Sequence, residues 1–290
     1  MSLTLPDMSG KHCIVTGATS GIGEVAALAL ARAGASVALV CRNSQKGQAT
    51  LARIRSESEN NQHELFLADL ESQQQIRDVA TRLLEASPKI DVLLNNAGVT
   101  NLKYSTTVDG IETVFAVNHL AYFLLTQLLL NRILDTPDSR IVNVASDAYK
   151  FGEINFDDLG YEQQFRWMKV YGQSKLANIL FTQELARRID GSSTTVNSLH
   201  PGGVSTGLGS NNGGMLHSVI STLIRPFMKT PEQGAETSLY LAASPEVAGK
   251  SGGYYKNCRF TALPKKARDP EAADRLWKVS EAMTRPGATS

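Results

Sequence analysis

The stretch Thr16-Gly17-Ala18-Thr19-Ser20-Gly21-Ile22-Gly23 joins a short apolar run, His12–Thr16, directly to a helical pattern over residues 23–33. Its spacing is G-x-x-x-G-x-G. Between a strand and a helix, glycines permit a tight turn and close backbone approach, while the helix N-terminus aims amide groups and its dipole at a pyrophosphate. Gly17, Thr19, Ser20, Gly21, Ile22 and Gly23 are therefore candidates for cradling a dinucleotide.

Outward from this loop, short apolar runs alternate with longer helical periods, the pattern of a parallel sheet covered on both faces. The runs are His12–Thr16, 36–40, Glu64–Leu67, 92–94, 140–145, 195–199 and, more weakly, 253–258. The helical periods are 23–33, 45–58, Gln73–Ala86, 110–134, 163–189 and Pro231–Ala243. The expected fold is α/β: a doubly wound Rossmann fold with a seven-stranded, mainly parallel sheet and helices on both faces. The alternation is unbroken, so residues 1–290 read as one domain. Residues 8–200 form the cofactor-binding and catalytic core, 201–230 a substrate-binding flap, and 264–290 a helical tail. In the tail, Asp269 and Pro270 suggest a capped helix start.

Composition narrows the function. The chain has 290 residues, with 29 Lys+Arg against 28 Asp+Glu and a net charge of +1. Without a basic surface, nucleic acid is not an expected partner. Cys13, Cys41 and Cys258 form neither a disulfide framework nor a metal cluster, so a reducing compartment and no metal are expected. The apolar stretch 113–131 contains Asn, His, Gln and Thr and reads as a buried helix, not a membrane span. A cytoplasmic protein follows.

Residues at later strand ends supply charge and chemistry. The second strand ends in Cys41-Arg42-Asn43, without the acidic residue that accepts from a ribose 2′-hydroxyl. Arg42 is placed for a 2′-phosphate, and Lys46 adds charge a turn further on, favouring NADP(H) over NAD(H). Asp69, followed by Leu70, could accept from an adenine amino group or cap a helix. Tyr171 and Lys175 stand at i and i+4 on one helix face. A neighbouring ammonium lowers a tyrosine pKa from about 10, making it a usable acid–base group. Ser146 follows the fifth apolar run, at the carboxyl end of the sheet where ligands bind.

Together 16–23, Asn95-Asn96-Ala97-Gly98, Ser146 and Tyr171-Gly172-Gln173-Ser174-Lys175 resemble the short-chain dehydrogenase/reductase family over nearly the whole chain. Cys41-Arg42-Asn43, Leu199-His200-Pro201-Gly202, residues 230–237 and Ser251-Gly252-Gly253-Tyr254-Tyr255 bring it nearest the retinol dehydrogenase and WW-domain oxidoreductase type. The resemblance implies that Tyr171 is the general acid–base, that Ser146 hydrogen-bonds the substrate oxygen, and that Lys175 binds the nicotinamide ribose. It makes Asn118 the proton-relay asparagine, although the residue alone could equally be a buried polar group meeting helix backbone. Asn43 would join the adenosine end. Asn95 would fix the central strand, with Asn95, Ala97 and Gly98 bordering the adenosine side. Pro201, Gly202, Val204 and Thr206 would line the nicotinamide end. The family's retinol dehydrogenases usually carry an apolar N-terminal anchor, whereas eleven residues precede the first run here, so no transmembrane segment is expected.

The implied activity is an NADP(H)-dependent hydride transfer with a ketone, aldehyde or alcohol of small to medium, retinoid- or steroid-like lipophilic type. The protein would act as a homodimer or homotetramer, or as a monomer. An NADP(H)-binding regulator with little turnover is the alternative, and the intact Ser/Tyr/Lys set argues against it. Residues 147–170 contain Phe151, Phe156, Phe165 and Trp167, read as the packing of an inserted segment.

Overall fold

Runs of aliphatic residues enclosed on both faces form the middle of a sheet in a computed structural model that describes residues 4–203 and 229–287. The strands are β1 (His12–Thr16), β2 (Ser36–Cys41), β3 (Glu64–Leu67), β4 (Val92–Asn95), β5 (Arg140–Val144), β6 (Thr195–His200), β7 (Tyr254–Lys256) and β8 (Arg259–Phe260). They lie in the order β3-β2-β1-β4-β5-β6-β7-β8, parallel except for β8. Chain order reverses between β1 and β4, where Val15 pairs with Leu94. Such a switch point opens a crevice at the carboxyl ends of the strands.

The described helices are α1 (Gly21–Arg32), α2 (Ser44–Glu57), α3 (Gln73–Ala86), α4 (Thr113–Leu134), α5 (Trp167–Arg188), α6 (Pro231–Ala243) and α7 (Pro270–Met283). Leu28, Ile54 and Leu239 of α1, α2 and α6 pack on one face of the sheet. Val79, Phe123, Phe181 and Trp277 of α3, α4, α5 and α7 pack on the other. The expected doubly wound α/β fold is the observed one. α4 is long and apolar enough to span a membrane, but 83% of its apolar window is buried inside the protein, as its polar residues imply. α7 starts as expected: the Asp269 carboxylate accepts from the amides of Glu271 and Ala272, and Pro270 takes the first helical position.

Several boundaries differ for physical reasons. The run 253–258 is not one strand. Asn257 and Cys258 adopt φ of 50° and 58°, making the tight two-residue turn that matches strand twist, and Arg259–Phe260 returns as an eighth, antiparallel strand. α4 begins at Thr113 because the Glu112 carboxylate caps it, accepting from the amides of Val114 and Phe115. Its first turns widen into a π turn over Ala116–Leu120. α5 begins at Trp167, after a turn in which Tyr161 has φ 52°. Of the expected flap 201–230, residues 204–228 lie outside the described residues, and with them Val204 and Thr206.

The segment after β5 is a short 3-10 helix, Asp147–Phe151, laid against α5. Two glycines allow the approach. A Cβ on Gly172 would stand 2.7 Å from the Ala148 carbonyl oxygen, and one on Gly152 would overlap the Gly172 and Gln173 backbone. Gly152→Ala is expected to force the two backbones apart and destabilise the protein by about 1–3 kcal/mol, read from denaturant unfolding.

Candidate active site

The crevice at the switch point holds a cleft of about 590 Å³. Its floor is the junction of β1 and β4. The Thr16 hydroxyl accepts from the amides of Asn96 (2.9 Å) and Ala97 (3.1 Å), and the Asn96 side-chain amide donates to the Thr16 carbonyl (2.9 Å). Gly17 turns there with φ 67°, and a Cβ on it would lie 2.8 Å from Ala97 Cα. A Cβ on Gly23 would overlap Gly17 O and Asn96 Nδ2. These glycines are thus required by the packing of loop on strand as well as by any ligand.

Thr19, Ser20 and Ile22 line the cleft with Gly17 and Gly23. Ser20 opens α1 without a capping side-chain hydrogen bond, unlike Asn43, Ser72, Thr230 and Asp269 at the starts of α2, α3, α6 and α7. The α1 amides therefore stay free of a side-chain cap beside the cleft, a donor set that fits a phosphate. Gly21 supplies the φ of 55° that lets the helix start, but does not line the cleft.

At the β2 and β3 ends, Arg42, Asn43, Lys46, Asp69 and Leu70 all reach the cleft. Arg42, half-exposed, pairs with Glu71 (3.0 Å) and Asp69 (3.7 Å). Asp69 is not a helix cap. Its carboxylate accepts from the Glu71 amide in a local turn, and Ser72 caps α3. Glu71 has no motif to announce it and was missed. Just past β4, Ala97 and Gly98 line the cleft, but Asn95, the last residue of the strand, does not. Asn95 is fully buried and donates to Asn143 (2.9 Å) and Thr126 (3.0 Å), joining β4 to β5 and α4. These bonds fasten the end of β4 inside the sheet, and it is Asn96, the next residue of the same motif, that lines the cleft.

Ser146, Tyr171 and Lys175 converge on the opposite wall, beside Pro201 and Gly202. The Ser146 and Tyr171 side chains both face the cleft, and the Ser146 hydroxyl accepts from the Ala148 amide (3.1 Å). Lys175 Nζ donates to the Val144 carbonyl (3.1 Å) and sits 5.6 Å from the Tyr171 ring centre and 6.0 Å from that of Tyr122. Gly98 leaves room for it: a Cβ there would stand 3.7 Å from Nζ and 3.3 Å from Asn118 Oδ1. Asn118 lies behind this wall, accepting from the Val99 amide (2.7 Å) and donating to Val99 O (3.0 Å) and Ser174 Oγ (3.1 Å).

The i, i+4 spacing predicts a lowered tyrosine pKa, and here the structure differs. Tyr171 opens to the cleft but is enclosed enough that burial pushes its phenol up to about 12, the nearby Ser146 hydroxyl opposing this only in part. Burial also takes the Lys175 ammonium down to about 7. Desolvation outweighs the attraction between phenolate and ammonium at this distance. Next to Ser146, Asp147 is a charge hub that sequence reading missed. Burial would raise its carboxyl, but Lys256 (2.7 Å), His200, Lys150 (3.2 Å) and the Tyr254 hydroxyl (3.0 Å) together bring it down to about 2. The hub anchors the Ser146 segment to β7. Among the described residues no group of His, Cys, Asp and Glu could hold a metal ion. Of the aromatics in 147–170, Phe156 packs as expected, while Phe151 and Trp167 are exposed.

A sheet of this order with Ser, Tyr and Lys converging at its switch point defines a nicotinamide-dependent oxidoreductase site, and comparison with known proteins agrees. The short chain dehydrogenase family model matches residues 11–215. Mouse retinol dehydrogenase 14 is 44% identical over 294 residues, covering 95% of this chain and 86% of that protein. Human retinol dehydrogenase 13 is 43% identical over 276 residues, covering 93% and 83%. An uncharacterised protein of Mycobacterium paratuberculosis superposes with a TM-score of 0.77 at 33% identity over 98% of each chain. A short chain dehydrogenase of Escherichia coli CFT073, solved with NADPH, gives 0.71 at 26% identity over 88% of this chain and 99% of that one. The chain belongs to the short-chain dehydrogenase/reductase family, within its retinol dehydrogenase group.

A buried lysine with a depressed pKa carries a stability cost. Below pH about 7 it is charged both folded and unfolded, and the cost is full; between about 7 and 10.5 only the unfolded chain binds the proton, so stability rises with pH. Lys175→Met is therefore expected to be more stable than the parent at pH 6, by an amount on the order of a few kcal/mol. Unfolding followed from pH 6 to pH 10 should show that gap closing.

Proposed function

We propose that the chain is an NADP(H)-dependent oxidoreductase that interconverts a carbonyl and an alcohol on a small to medium lipophilic substrate of retinoid- or steroid-like type. The observation that carries this reading is the convergence of Ser146, Tyr171 and buried Lys175 in a cleft whose other wall carries helix amides free of a side-chain cap. Bound nicotinamide supplies or accepts the hydride. Tyr171 gives its proton to the substrate oxygen on reduction and takes it back on oxidation, and Ser146 donates a hydrogen bond to the same oxygen, stabilising developing negative charge. We assign Lys175 to the nicotinamide ribose and Asn118 to proton relay behind it. The α1 start would hold the pyrophosphate, Asn43, Lys46, Asp69 and Leu70 the adenosine end, and Pro201 and Gly202 the nicotinamide end.

The preference for NADP(H) rests on Arg42, whose guanidinium is held at the cleft rim by Glu71 and Asp69 and suits a 2′-phosphate. The bound NADPH of the Escherichia coli neighbour supports it. The lipophilic substrate rests on the names of the relatives and on Val99 and Val117 lining the cleft. Free Cys13, Cys41 and Cys258 favour a cytoplasmic setting.

Tyr171→Phe should bind NADPH normally and lose turnover on a panel of aldehydes, ketones and retinal; retained activity refutes the acid–base assignment. No absorbance loss by the parent protein on any member of that panel would favour a regulator. Arg42→Ala should raise the Kd for NADPH about tenfold or more with little change for NADH, measured by fluorescence titration.

A further inference from the structure

A second buried polar chain lies beneath the Ser/Tyr/Lys wall, and its hydrogens can be assigned one by one. Asn178, on α5 three residues beyond Lys175, is fully buried. Its side-chain nitrogen donates to the backbone carbonyls of Asn118 (2.8 Å) and Val144 (3.3 Å). The Val144 carbonyl is the one that Lys175 Nζ also uses. With its nitrogen so committed, Asn178 turns its oxygen to His119 Nδ1, 3.3 Å away. An amide oxygen only accepts, so Nδ1 carries the imidazole hydrogen; Nε2 is then an acceptor, and Ser280 Oγ, at 2.9 Å, donates to it.

Ser280 belongs to α7, the C-terminal helix, and is itself fully buried. The rings of Phe115 (5.2 Å) and Phe181 (6.1 Å) flank His119. Burial brings the His119 pKa down to about 4, so the neutral tautomer this chain of bonds requires is the form present at neutral pH. Asn118 and His119 sit side by side in the π turn of α4, a distortion that concentrates at functional sites. The turn thus has two neighbouring side chains with separate tasks: Asn118 ties it to Val99 and Ser174, and His119 ties it through Asn178 to the carbonyl that holds Lys175.

We propose that His119 and Ser280 are positioning residues for Lys175, making the C-terminal helix part of the support of the catalytic wall; this rests on the catalytic reading of Tyr171 and Lys175. Neither touches substrate or cofactor. They act by holding Asn178 so that the Val144 carbonyl, shared between Asn178 and Lys175, stays in place. Buried networks of this kind are effective only when every member is satisfied.

The test reads Lys175 directly. In protein labelled with carbon-13 at lysine Cε, the Lys175 signal is assigned by its loss in Lys175→Met and titrated with pH. His119→Leu should move that titration toward the ordinary lysine range by about one unit, as a loosened site admits water. It should also lower kcat roughly tenfold while KM for substrate and cofactor stays within about twofold. Ser280→Ala should shift both in the same direction by less, and decides the matter if His119→Leu does not fold. Trp277→Leu removes apolar packing of α7 and leaves the polar chain intact, so it should lower Tm without moving the Lys175 titration. Folded His119→Leu and Ser280→Ala proteins whose Lys175 titrates as in the parent would overturn the proposal. Turnover retained in Tyr171→Phe would overturn the catalytic reading instead, while the NMR titration still reports on the support.

Discussion

Everything at the cleft depends on the lock between Thr16 and Asn96. Where the chain order reverses, two parallel strands diverge in connectivity and nothing in the ladder continues to hold their ends together. Thr16 spends its hydroxyl on two amides past the end of β4, and Asn96 returns a hydrogen bond to the end of β1. The glycine loop can then lie flat on the Ala97 backbone, and α1 starts with its amides facing the crevice. A methyl group at Gly17 or Gly23 would separate the pieces. The proposed phosphate cradle is therefore a by-product of how two strand ends are fastened.

The opposite wall is organised by the cost of burial. Tyr171 and Lys175 are each held away from the charged form that water would allow, one toward neutral phenol and the other toward neutral amine. In the proposed reaction neither would first have to shed a tight hydration shell. Beneath them the Val144 carbonyl accepts from both Lys175 and Asn178, and Asn178 also holds the Asn118 carbonyl. This arrangement follows the common pattern in which a functional site is stabilised less than the core around it.

The framework was legible because parallel strands buried on both faces leave apolar runs that turns and helical periods bracket. His12–Thr16, Glu64–Leu67 and Gln73–Ala86 have the ends read from sequence. The Ser146, Tyr171 and Lys175 positions were legible from spacing and from strand ends. Other features leave no periodic trace. β8 is two exposed residues with no apolar alternation, and a π turn differs from an α turn by one residue in hydrogen bonding, not in composition. Asn95 and Asn96 are chemically identical neighbours; only the register, Asn95 opposite Asn143 inside the ladder, shows which one remains in the sheet. The direction of the Tyr171 shift depends on how much water the fold removes, which a four-residue spacing does not encode. Glu71 and Asp147 matter through partners distant in sequence or carried on other strands.

The hairpin that ends the sheet has a consequence for how the protein meets its own copies. Beyond β7 a parallel sheet would present a row of free amides and carbonyls, a template for another strand. Asn257 and Cys258 turn the chain back, so the outermost strand is only two residues long, one of them the cationic Arg259, facing solvent. At the far edge, β3 is four residues long and begins with exposed Glu64. Among the described strands both borders of the sheet are thus short and charged, features that oppose growth by strand addition.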